Sequence, residues 1–106
     1  MKHQVKVIYP VRSDWNESEE RIFEVGEVEA PDAMTACELM FKGFNVVEPN
    51  PGPNDPGYYN TIFHCRSLSV GDIVEVDGVR HRCEAMGFRE MEEDEDNEYQ
   101  LARMFE

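Results

Sequence analysis

Hydrophobic and polar residues alternate from the start of the chain. Val5, Val7 and Tyr9 fall on one side of an extended segment and Gln4, Lys6 and Ile8 on the other, so a half-buried strand is expected, closed by Pro10. The polar run 13–20 reads as a turn. A second strand is expected over 21–30, with Phe23 and Val25 on one face and Gly26 breaking the alternation as a bulge would. The period then changes. Ala33, Ala36, Cys37, Met40 and Phe41 recur at helical spacing behind Asp32, a good N-cap, and Lys42 suits a last turn that Gly43 is expected to stop.

Residues 48–60 hold four prolines and two glycines in thirteen positions, so no regular structure is expected there. Within them, Tyr58 and Tyr59 either stand out to anchor a partner or pack back onto the body. The segment Arg66–Gly78, RSLSVGDIVEVDG, is the most patterned of the chain. Ser67 and Ser69 suit bonds to neighbouring amides, and Gly71-Asp72 is turn chemistry. Leu68 and Val70 are expected to be buried, with Asp72 accepting backbone hydrogen bonds. Val74 and Val76 share one face of a strand, Asp77-Gly78 signals a two-residue hairpin, and the chain returns with Val79, His81, Cys83 and Ala85 on one face and Arg80, Arg82 and Glu84 on the other. A short helix near the end, capped by Asp96 or Asn97, would align Leu101, Met104 and Phe105.

The expected fold is α+β: a small antiparallel sheet of four or five strands with one packed helix, in the order β-β-α-β-β, and a short C-terminal helix. Residues 1–90 form the expected single domain, and 91–106 an acidic tail.

Charge sharpens this picture. Across 106 residues, 10 Lys and Arg face 23 Asp and Glu, a net charge of −13. Such a surface repels nucleic acid and anionic membranes and attracts basic protein surfaces. The excess is uneven, because the last sixteen residues hold seven acids and a single arginine. No apolar run approaches the ~20 residues of a membrane span, and the first residues lack the features of a signal peptide, so a cytoplasmic protein is expected.

Reactive chemistry is sparse. Cys37, Cys65 and Cys83 are odd in number and contain no C-x-x-C, which suits buried free thiols rather than disulfides. His64, Cys65, His81, Cys83 and Cys37 are suitable zinc ligands by type. Their spacing lacks the paired pattern of structural zinc sites, so neither metal nor other cofactor is expected. Cys83 shares its face with apolar residues, a poor setting for a nucleophile. Paired carboxylates carry no signal in a chain with so many acids.

MFKGFN (Met40–Asn45), a proline-containing loop, the SLSVGD block (Ser67–Asp72) and Gly87-Phe88 together resemble the YodL-like domain of bacterial mobile elements and phages. The resemblance spans roughly residues 33–88; the long Pro-Gly loop and the acidic tail depart from it. It implies a mobile-element or phage origin and carries no catalytic residue. Three functions stay open: a non-enzymatic protein that binds a basic partner, inhibiting a nucleic-acid-binding protein by charge mimicry; a structural or accessory domain with incidental acidity; and a metal-binding protein. For the first, the candidate contacts are Glu92, Glu93, Asp94, Glu95, Asp96 and Glu98, with Tyr58 and Tyr59 as an aromatic anchor.

Overall fold

The computed structural model describes residues 1–11, 19–45, 50–52 and 55–104, with side chains in the last helix described for 93–98 and 101. The elements are β1 (Lys2–Tyr9), β2 (Arg21–Glu29), α1 (Ala33–Gly43), α2 (Tyr58–Phe63), β3 (Ile73–Val76), β4 (Val79–Glu84), β5 (Gly87–Glu90) and α3 (Glu93–Met104). The five strands make one antiparallel sheet in the order β2-β1-β3-β4-β5. The fold is α+β, with three helices among the described residues where the sequence led us to expect one or two. The turn expected over 13–20 lies mostly outside the described residues, as does Phe105.

The period-two pattern places the core. Val5, Val7 and Tyr9 of β1, Val74 and Val76 of β3, and Cys83 of β4 lie on one sheet face, under Ala36, Cys37 and Met40 of α1. Asp32 caps α1 by accepting the Thr35 N–H at 2.7 Å. Register between β1 and β2 slips after Val5, which faces Gly26 while Lys6 faces Glu24. The bulge expected at Gly26 is therefore present, and its φ of +93° is one that glycine adopts without strain. Asp77 and Gly78 take φ of 51° and 84°, both positive as the type I′ turn of a tight hairpin requires.

Five local expectations are corrected. Gly43 does not stop α1 with a left-handed residue; it is the last helical residue and is buried, and Phe44 caps the helix. A side chain on Gly43 would collide with the Tyr59 ring. The proline-rich loop ends earlier than expected, because Gly57 at φ 84° turns Tyr58–Phe63 into the short α2. Val70 is 44% exposed, since it sits at the crest of the turn it was expected to underpin. Val79 keeps to the expected face of β4 but is exposed beside the Asp77-Gly78 turn, and Ala85 lies off that face, in the turn that follows β4. Finally, α3 begins at Glu93, ahead of the expected caps Asp96 and Asn97. Glu95 reaches back to accept the Glu92 N–H at 3.2 Å, the return half of a capping box.

Candidate functional site

Two polar assemblies organise the molecule. The first answers what the SLSVGD block does. Asp72 is fully buried, yet both carboxylate oxygens are met: Arg66 Nη1 and Nη2 donate to them at 2.7 and 2.9 Å. The Ser69 N–H donates to the same carboxylate at 2.8 Å, and the Asp72 N–H returns a bond to the Ser69 carbonyl at 3.0 Å. The Asp72 backbone carbonyl accepts from the Cys83 N–H at 2.8 Å, which ties the block to β4. The Arg66 guanidinium lies over the Tyr9 ring, 4.2 Å from its centre. Tyr9 and Asn60 donate to the Arg66 carbonyl at 2.6 and 2.7 Å. Burial pushes the Tyr9 phenol well above its usual range, so it stays a donor. Leu68 is buried beneath, its N–H bonded to the Phe44 carbonyl. These contacts join β1, α1, α2 and β4 around the buried Asp72 carboxylate and the partly buried Arg66 that pairs with it, a structural role.

The second assembly covers the outer face of the sheet. Strand register sets Glu24, Lys6, Glu75 and Arg80 side by side on β2, β1, β3 and β4. Neighbours carry opposite charge, with Lys6 Nζ 3.6 Å from Glu24 and 3.9 Å from Glu75, and Arg80 3.5 Å from Glu75. The row continues onto α3, where Asp96 Oδ1 lies 3.1 Å from Arg80 Nε, close enough to pair charges though off the line of a hydrogen bond. Beside it, Arg89 clasps Glu95 with both terminal nitrogens and also meets Glu84 at 2.8 Å. Arg82 adds a contact to Glu95 at 3.7 Å. The Arg89 bond, the Glu92 N–H and the nearby arginines hold the Glu95 carboxyl down to about 2.

These pairs divide the acidic candidates. Glu95 and Asp96 face inward and fasten α3 to β4 and β5. Glu92, Glu93, Asp94 and Glu98 make no ion pair with any described residue. Tyr58 and Tyr59 lie apart from the acids, on α2. Tyr59 stacks on Phe44 at 5.1 Å between ring centres and spans toward Phe63, while Tyr58 meets Tyr59 edge-on at 5.3 Å. Half-buried Tyr59 thus belongs to an aromatic cluster with Tyr9, Phe23, Phe44 and Phe63. Phe44, fully buried at its centre, was missed in the sequence because it falls past the glycine expected to end α1.

The zinc candidates are not brought together: among the described residues no three His, Cys, Asp or Glu side chains are grouped as a metal site. His64 is exposed at the end of α2, whereas His81 and Cys83 are buried on β4. Burial pushes the thiol of Cys37 up to about 12 and that of Cys83 up to about 11, which disfavours the nucleophilic thiolate. No described helix is long and apolar enough to cross a membrane.

Fold and site together define a small α+β domain with an acidic helix fastened to its sheet. Comparison with family models, with curated proteins and with solved structures gives no match to this chain.

Proposed function

We propose that this chain is a non-catalytic binding module that meets a basic protein surface with the free acids at the start of α3. The carrying observation is the division of labour within the acidic block. Glu95 and Asp96 are held by Arg80, Arg82 and Arg89, so the adjoining Glu92, Glu93, Asp94 and Glu98 are displayed from an anchored helix. Clustered carboxylates held in place speed encounter with a cationic groove, including one shaped for the phosphates of a nucleic acid. The raised thiols of Cys37 and Cys83 favour this reading over thiol catalysis. The resemblance of Ser67–Asp72 to the YodL-like domain supports a mobile-element or phage source acting in the cytoplasm.

The test is capture of partners from a bacterial lysate at low and high salt, with the natural chain and with a variant carrying glutamine at 92, 93 and 98 and asparagine at 94. The expected result is a salt-sensitive partner that the neutralised variant loses. A structural or accessory role is the second reading, favoured by the use of Glu95 and Asp96 to seat α3. Equal capture by both chains would select it.

A further inference from the structure

The sheet has two edges, β2 and β5. The bulge at Val5–Gly26 disturbs β2, a common guard against added strands. β5 is regular. Its pairs with β4 run Glu84–Gly87, Cys83–Phe88, Arg82–Arg89 and His81–Glu90. The tight turn closing on Glu84 and Gly87, and the Met91 N–H bonded to the Arg80 carbonyl at 2.9 Å, set the phase of the ladder. Phe88 and Glu90 therefore turn their backbone N–H and C=O groups away from β4, toward the open edge.

Beside that edge, between α1 and the β4–β5 hairpin, lies a groove of about 200 Å³ with Phe41, Cys83, Ala85 and Phe88 in its walls and Glu38 and Glu84 at its rim. Phe41 is 39% exposed and meets Phe88 edge-on at 6.3 Å. Met86, at the tip of the hairpin, is 99% exposed. An apolar slot next to free backbone donors and acceptors is what strand addition uses: main-chain bonds give affinity, and a side chain in the slot gives specificity.

We infer that the β5 edge and this groove take an extended segment of a partner protein as a sixth strand, with an apolar side chain in the groove and lysine or arginine two residues to either side, on the same face. The inference rests on the acidic-binding reading and deepens it by naming the partner's local form. Charge selects the occupant. Glu38 lines the slot, Glu90 follows Phe88 on the same face of β5, and Glu92, Glu93 and Asp94 continue from the end of β5. A second copy of this chain would bring the same acids face to face, whereas a basic strand meets them with opposite charge.

The probe is an end-capped heptapeptide, Ser-Lys-Ser-Val-Ser-Lys-Ser, whose valine and two lysines share one face of a strand, compared with a lysine–serine peptide of equal charge in which serine replaces the valine, each titrated into the isotope-labelled full chain. The expected result is salt-sensitive binding of the valine peptide, slowed exchange of the Phe88 and Glu90 amides, and affinity about tenfold weaker in Phe41→Ala, the loss of one contact anchor. Glu90→Pro, which removes an outward N–H at an edge where proline is tolerated, is expected to weaken it similarly. If Glu90→Pro unfolds, half-exposed Phe41 still carries the test. Equal binding of the lysine–serine peptide, or shifts confined to α3, overturns the groove and leaves the acidic reading standing. Binding of neither peptide, with lysate capture intact, also overturns the groove alone.

Discussion

The imidazole of His3 and the carboxylate of Asp77 meet at 2.7 Å across 74 positions of chain. The other Asp77 oxygen accepts the Gln4 N–H at 2.8 Å, and the Asp77 N–H bonds back to the Gln4 carbonyl. A hairpin turn thus clasps the start of β1. The bond from His3 and the Gln4 N–H hold the Asp77 carboxyl below the usual carboxylate range. Its contribution to stability is therefore complete above the unfolded-state value and lost as pH falls through the lowered one. Asp77→Ala is expected to lower the melting temperature more than Asp77→Asn, because asparagine tolerates the positive φ and keeps an acceptor. Equal losses would mean that neither tolerance of the positive φ nor the acceptor kept by asparagine contributes.

Gly43 and Tyr59 compete for one volume. Gly43→Ala gains about 1 kcal/mol of helix propensity but forces the Tyr59 ring aside, an overpacking cost of about 1–3 kcal/mol. A net loss of about 1 kcal/mol is expected by denaturant unfolding. In a Tyr59→Ala background the same change is expected to stabilise, and this reversal of sign is the check.

Arg66 and Asp72 are a pair whose partners cannot be removed singly at low cost. Asp72→Ala removes the acceptor of Arg66 and of the Ser69 N–H; because the guanidinium is partly exposed and still lies over Tyr9, the loss is expected at the low end of the buried-pair range, about 3 kcal/mol. Leu68→Asp, which puts an unpaired carboxylate beneath the same block, is expected to abolish the cooperative unfolding transition. A cooperatively folding Leu68→Asp chain would show that this segment does not hold the body together.

Acid is expected to release α3 before the sheet unfolds. Glu95 titrates at about 2 in the folded chain against 4.5 when free. Its anchoring is whole above 4.5 and weakens as pH falls toward about 2. Backbone resonances of residues 93–98 followed from neutral to acid pH should move together with the Glu95 carboxyl, and Arg89→Gln should shift that transition up toward 4.5.

Strands β1 to β4, α1 and the Asp77-Gly78 turn were legible in the sequence because each is a local pattern: alternation, a capped helical stripe, a residue pair tolerant of positive φ. The Arg66–Asp72 pair was half legible. A turn aspartate was visible, but its arginine partner depends on how Tyr9 and Asn60 fix the preceding loop. The split of the acidic block was hidden, since it depends on which acids lie over Arg80, Arg82 and Arg89 once β4 and β5 have paired. The start of α2 was masked by its prolines: Gly57 halts their influence one residue before Tyr58.

The strand order also sets a sequence of events in folding. β1 and β2 are neighbours in the chain and in the sheet, and β3, β4 and β5 form a meander of short connections, so each group can assemble from nearby residues. The seam between them joins Ile8 to Ile73 and Val5 to Val76, with most of the chain in between. Closing that seam is the slow, long-range step, and until it closes β1 presents an open, apolar edge. Stopped-flow refolding should therefore show a main phase slowed by Val7→Ala and Val74→Ala alike, and a fragment ending before Ile73 should self-associate through the strand that the meander normally covers.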